Sequence, residues 1–171
     1  MVGFAFLTKQ LQAFLVLPVF AAVYLYAAPI ALRKRFGHLF AALGAVLVSA
    51  GWWVAIVELT PASMRPYIGG SQTNDFLELT FGYNGLGRLT GHEVGSVTHG
   101  GVMHWGYTGI DRLFSGDIGA QITWLMFATL VMIALSLWFT RRLPRTSPTR
   151  ATVLLLGGTL IVTALAFSFM A

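Results

Sequence analysis

Apolar residues come in long uncharged runs separated by short charged stretches. Leu11 to Leu32, LQAFLVLPVFAAVYLYAAPIAL, carries no charge and would extend about 33 Å as a helix, enough to cross the hydrocarbon core of a bilayer. Pro18 and Pro29 are expected to kink it, which membrane helices tolerate where neighbours satisfy the freed carbonyls. The run is too long for a signal peptide, and no small-residue cleavage site follows it. After an RKRFGH turn, His38 to Val57 reads as a second span, with Ala41, Ala45 and Ser49 on one face and Trp52 and Trp53 near the exit. Small residues at that spacing let helices approach closely, and tryptophan favours the interface. Ile118 to Thr140 and Thr152 to Ala171 give a third and a fourth span. The expected fold is therefore an all-α integral membrane protein with about four transmembrane helices, at 11–32, 38–57, 118–140 and 152–171. One large loop, 58–117, separates an N-terminal segment, 1–57, from a C-terminal one, 118–171.

Charge sets the expected orientation. Arg33, Lys34, Arg35, Arg141, Arg142, Arg145 and Arg150 lie in two short connections, 33–37 and 141–151, and such clusters mark the cytoplasmic side. Glu58, Asp75, Glu78, Glu93, Asp111 and Asp117, all the acids of the chain, lie in the long loop, which is then extracytoplasmic. A plasma-membrane, multi-pass location follows, with the N-terminus outside. Residues 1–10, containing FAFLTKQ, read like the end of an outer loop running into a helix, so the chain is expected to be a portion of a longer protein. Apolar residues make up 56% of the chain and charged ones 10%, with a mean hydropathy of +0.73. That leaves little room for a soluble catalytic domain. The net charge of +5 borders apolar segments and suits lipid headgroups rather than nucleic acid. The absence of cysteine excludes disulfides, thiolate catalysis and cysteine metal sites.

The loop is too apolar for a solvated linker, carrying Met64, Tyr67, Ile68, Phe76, Leu77, Leu79, Phe81, Tyr83, Leu86 and Leu89. It should fold against the membrane surface or the helices. Asn74 or Asp75 could cap a short helix over DFLELTF, and GIDRLFSGDIG reads as a second short amphipathic stretch along the interface. Gly82, Gly85 and Gly87 do not make a dinucleotide fingerprint, because no strand precedes them and no βαβ unit fits.

The loop also holds the candidate chemistry. His92, His99 and His104 lie near Glu93, but their spacing fits no compact metal motif, so a divalent ion is unsupported and no cofactor is assigned. No Gly-x-Ser-x-Gly elbow occurs. Arg65 and Tyr67 could clamp and orient a phosphate near the membrane surface. Equally, Arg65 and Arg88 could pair with Glu58, Asp75 or Glu78 and hold the loop together. No acid is marked out as a base.

The string TPASMRPYIGGSQTNDFLELTFGYNGLGRLTG resembles the loop of bacterial family-39 glycosyltransferases, related to protein mannosyltransferases and to the aminoarabinose transferase of lipid A. The likeness continues through FLTKQLQAFLVLPVFAAVYL, VSAGWWVAIVEL and RLFSGDIGAQITWL, and looks closest to actinobacterial members. It implies a partial GT-C bundle acting on a polyprenyl-phosphate-linked sugar and an outer-face acceptor in the cell envelope, with membrane lipids and the remainder of a longer enzyme as partners. By its loop pattern Arg65, Tyr67, Asn74, Asp75, Tyr83, Asn84 and Arg88 would line the substrate site. The catalytic aspartate of such enzymes belongs to a first outer loop that has no counterpart here, so the catalytic residue is unassigned and activity of this chain alone is in doubt. The competing reading is a small non-enzymatic membrane subunit, or an inactive remnant, acting through the Ala41/Ala45/Ser49 face and its loop.

Overall fold

The computed structural model describes residues 1–87 and 108–170, and every regular element among them is helical. Three helices are long and apolar enough to cross a membrane: Leu32–Leu59, Thr123–Thr140 and Pro148–Phe169. A fourth crossing is available if the interrupted pair Val2–Phe14 and Leu17–Ala27 is one span. The expected all-α, multi-span architecture is what the chain adopts.

The first expected span differs most. Instead of one kinked helix over 11–32, α1 covers Val2–Lys9, a 3-10 turn follows at Gln10–Phe14, and α2 covers Leu17–Ala27. Pro18 lies in the first turn of α2, where its missing N–H is no loss and its fixed φ suits a helix start. Pro29 excludes helical backbone from the residue before it, and Ala28 is accordingly extended at φ −62°, ψ 134°. The prolines bracket a short helix rather than kink a long one. At about 1.5 Å per residue α2 alone is too short to span.

The basic stretch expected as a connection at 33–37 is instead helical, forming the start of α3, Leu32–Leu59. Cations at a helix N-terminus oppose its dipole, and Arg35 finds its partners elsewhere. It is buried and donates from Nε to the Ile30 carbonyl at 2.8 Å and from Nη1 to the carbonyls of Tyr26, at 3.4 Å, and Leu25. Carbonyls left open at the end of α2 are thereby satisfied. Arg33 and Lys34 remain exposed.

The remaining helices are α4, Gly116–Thr140, and α5, Pro148–Phe169. α5 starts ahead of the expected residue 152 because Pro148 is itself a favoured first helical residue. The chain divides into two units, one built from Met1–Phe14 and residues 42–87, the other from Leu15–Ala41 and residues 108–169.

In the second unit α5 approaches both neighbours through adjacent glycines. A Cβ at Gly157 would lie 3.0 Å from Ile133 of α4, and one at Gly158 would lie 2.7 Å from Val19 of α2. Small residues of this kind let backbones come together in lipid. A 3-10 turn at Ile110–Phe114 closes the end of α5: Gly109 N–H donates to the Ser168 carbonyl at 2.9 Å, and buried Arg112 donates to the Phe167 carbonyl at 3.4 Å. The second amphipathic stretch expected from sequence is therefore this turn followed directly by α4.

In the first unit α1 lies against α3 at Gly3, where a Cβ would come within 2.8 Å of the Ser49 Cβ. Of the small-residue face expected on α3, Ser49 is thus covered, while Ala41 and Ala45 are exposed. Large apolar side chains such as Val48 and Phe139 are about three-quarters exposed, at 75% and 78%, as befits surfaces facing lipid chains rather than water.

Candidate functional site

The loop after α3 is organised by Arg65. Its Nε donates to the Thr60 carbonyl at 2.7 Å, Nη2 to the Glu58 carbonyl at 2.6 Å, and Nη1 to the Asn74 carbonyl at 3.4 Å. Nη2 also lies 3.2 Å from the Glu58 carboxylate, and Nη1 lies 3.8 Å from that of Asp75. The planar guanidinium suits this use, since its donors fan out in one rigid plane. Of the two roles open to Arg65 from sequence, the structure shows the structural one: it pairs with Glu58 and Asp75, not with Glu78.

Those contacts position a helical segment. Glu58 Oε1 accepts from the backbone N–H groups of Phe76 and Leu77 at 3.2 and 3.3 Å, and Asp75 Oδ1 accepts from Glu78 N–H at 2.8 Å. Two carboxylates therefore satisfy the free donors of a first turn. Asp75 is the cap, whereas Asn74 takes a left-handed backbone at φ 57° and accepts from Ile68 N–H at 2.7 Å. Glu78 turns back to accept from the Thr73 hydroxyl at 2.7 Å, the Thr73 N–H at 3.0 Å and the Ser71 hydroxyl. The hydroxyl of Ser71, then that of Thr73 and its backbone N–H, hold the Glu78 pKa down at about 2. Gly70 is left-handed at φ 88° and packs beside the Tyr83 ring.

The segment continues as a π-helix, Glu78–Leu86, in which Gly85 has non-helical torsions. Such helices are rare and concentrate at functional sites. A Cβ at Gly85 would lie 2.6 Å from the Thr80 carbonyl and 2.9 Å from Leu11, so the 3-10 turn after α1 packs on the π-helix only because glycine stands there. A pocket of about 230 Å³ opens beside this contact, lined by Leu7, Thr8, Lys9, Gln10, Gln12 and Asn84. Gln10 has a strained left-handed φ of 49°. Its side-chain Oε1 and the Thr80 hydroxyl are buried without a partner among the described residues, and such an atom costs about 1–3 kcal/mol when left unsatisfied.

Among the sequence candidates, Arg65, Asn74 and Asp75 come together, Tyr83 packs beside Gly70, and Asn84 belongs to the pocket. Tyr67 stands apart at 86% exposure. Arg88 lies outside the described residues, as do His92, Glu93, His99 and His104. Among the described residues no group of His, Cys, Asp or Glu could hold a metal ion. Sequence reasoning missed the capping role of Glu58, the Ser71–Thr73–Glu78 cluster, and Lys9, Gln10 and Gln12. The last three lie far from Asn84 in sequence and carry no motif.

No family model matches the chain, and no solved structure matches it. Two curated proteins do. Over 94 residues, 55% of this chain, it is 50% identical to "Putative mannosyltransferase YkcB" of Bacillus subtilis (strain 168), of which it spans 13%. Over 95 residues, 56% of the chain, it is 44% identical to "Putative mannosyltransferase YycA" of the same organism, of which it spans 14%. On an all-α, multi-span fold, the chain thus carries a stretch homologous to a small part of two bacterial proteins named as mannosyltransferases.

Proposed function

We propose that this chain forms a membrane-embedded part of a GT-C-like glycosyltransferase of the family-39 kind. The enzyme takes a sugar from a polyprenyl-phosphate donor and transfers it to an acceptor on the outer face of the membrane. The observation that carries this reading is the 50% identity over 94 residues to a protein named as a mannosyltransferase, and mannose is accordingly the first sugar to try. Support comes from residues 58–87, which follow an apolar helix and are folded and hydrogen-bonded rather than a bare linker.

Transfer from a lipid phosphate needs a base for the acceptor hydroxyl and positive charge for the departing phosphate. In this reading Arg65, Asn74 and Asp75 fix the loop's shape, Tyr83, Asn84 and Arg88 line the substrate space, and exposed Tyr67 meets the acceptor or the membrane surface. Asp75, Glu58 and Glu78 are each engaged in capping or loop hydrogen bonds, so none of the three is assigned as that base.

The test is an assay on the native gene product that carries this chain, isolated in membranes and given polyprenyl-phosphate mannose labelled in the sugar. Label in an envelope glycan, lipid or protein is the expected result. No transfer from mannose, glucose or pentose donors, together with capture of a stoichiometric partner by crosslinking, would replace the enzyme with a non-catalytic membrane subunit.

A further inference from the structure

The pocket between α1, the 3-10 turn and the π-helix contains functional groups that the protein itself leaves unused. Lys9 ends α1 exposed, with no acid or hydrogen-bond acceptor against its ammonium among the described residues. Gln10, Gln12 and Asn84 are half-buried around the same space. Oε1 of Gln10 is a buried acceptor without a donor. Backbone strain at Gln10 and the broken torsions of Gly85 flank the site on both sides.

These groups are complementary to one kind of ligand. An ammonium with no carboxylate beside it calls for an anion, and a compact anion of high charge suits lysine as a point charge. A sugar hydroxyl can donate to an amide oxygen, which a phosphodiester cannot do. Carboxamides such as Gln12 and Asn84 offer a donor and an acceptor side by side, matching neighbouring hydroxyls. At about 230 Å³ the space can take a single hexose with its phosphate.

We infer that Lys9, Gln12 and Asn84 form a sugar-phosphate subsite, with Lys9 on the phosphate and the two carboxamides on the sugar hydroxyls. The assignment rests on the glycosyltransferase reading only for the lipid attached to that phosphate; the polar chemistry stands without it.

The test is equilibrium binding by the native gene product in lipid nanodiscs, read by thermophoresis, without any transfer reaction. The probes are inorganic phosphate, mannose 1-phosphate, polyprenyl phosphate and polyprenyl-phosphate mannose. Lys9→Ala should weaken every phosphate-bearing probe by about tenfold or more, as expected for loss of a charge-assisted contact, and Lys9→Arg should restore much of it. Gln12→Ala and Asn84→Ala should weaken the two sugar-bearing probes and leave inorganic phosphate and bare polyprenyl phosphate unchanged. Tighter binding of polyprenyl-phosphate mannose than of mannose 1-phosphate identifies a lipid-linked ligand, and equal binding a soluble one; either supports the subsite.

The inference is overturned if Lys9→Ala and Asn84→Ala, each melting as the wild type does, bind all four probes with unchanged affinity. Should either alanine variant fail to fold, Lys9→Gln and Asn84→Asp, which keep size and polarity, decide in its place by the same criterion. Lys9-dependent binding in a protein that transfers no sugar would sink the glycosyltransferase reading and leave the subsite standing. Sugar transfer with binding indifferent to these three residues would do the reverse.

Discussion

Arg65 and Glu58 meet twice: Nη2 of Arg65 donates to the Glu58 carbonyl at 2.6 Å and lies 3.2 Å from the Glu58 carboxylate. One pair of residues thereby ends α3 and starts the loop, and through Glu58 Oε1 it also reaches the N–H groups of Phe76 and Leu77. The Arg65 side chain is 11% exposed and that of Glu58 22%, so the pair is shielded without being fully buried. Truncating Arg65 strands a carboxylate and several carbonyls. Arg65→Ala should cost about 2–3 kcal/mol, in the range for hydrogen bonds to charged groups, and lower the melting temperature in nanodiscs. Arg65→Lys should recover only part, because a point charge cannot serve the fanned carbonyls. Loss of ligand binding with an unchanged melting temperature would contradict this and return Arg65 to a phosphate clamp.

Glu78 gives the loop a pH limit. Its carboxyl is held at about 2, against an ordinary value of 4.5, by the Ser71 and Thr73 hydroxyls and the Thr73 N–H. A depressed carboxyl stabilises the fold above its unfolded pKa and loses that contribution as pH falls through the folded value. The 71–78 turn should therefore stay closed at pH 5 and open between pH 4.5 and about 2. Pepsin digestion in that window should cut the wild-type loop progressively faster as pH falls. Glu78→Gln should make the loop sensitive throughout it, with little further dependence on pH.

Much of this was legible in the sequence, for identifiable reasons. Uncharged apolar runs announce membrane helices because nothing else tolerates lipid, and α3, α4 and α5 appear where the runs are. The prolines are ambiguous in sequence: whether Pro29 kinks a helix or ends it depends on what satisfies the neighbouring carbonyls, and that partner, Arg35, sits within a charged run that reads as a connection. Asp75 as a cap and Arg65 as an ion-pair centre were visible as one of two readings each, since spacing brings the right groups near without choosing among them. The Lys9–Asn84 pocket was not visible. It depends on a left-handed Gln10 and on a π-helix, neither of which leaves a periodic signature.

Gly3 is where α1 seats against α3. A Cβ there would come 2.8 Å from the Ser49 Cβ and 3.0 Å from the Val46 carbonyl oxygen, and the backbone oxygen cannot move aside. Gly3→Ala should destabilise by about 1–3 kcal/mol, the usual cost of overpacking, and Gly3→Val by more. Ser49→Gly should relieve part of the clash, so the double variant should melt above Gly3→Ala alone, a non-additivity expected only for residues in contact. Additive effects would mean that α1 does not rest on Ser49. Because Lys9 ends α1, the same clash should weaken phosphate binding at the pocket, which links helix seating to the site.

The orientation of the loop decides which face of the membrane carries the chemistry, and the chain offers a clean probe because it contains no cysteine. Tyr67 is 86% exposed at the loop surface, and Arg142 is exposed in the short basic connection between α4 and α5. Lys and Arg in short connections are retained on the cytoplasmic side, and by that rule Tyr67 is expected outside. In a background cleared of any other cysteines of the gene product, Tyr67→Cys should react with a membrane-impermeant maleimide in intact cells. Arg142→Cys should react only after permeabilisation. The opposite pattern would place the loop in the cytoplasm, where an outer-face acceptor could not reach it, and the proposed direction of transfer would fall even if the sugar-phosphate pocket were real.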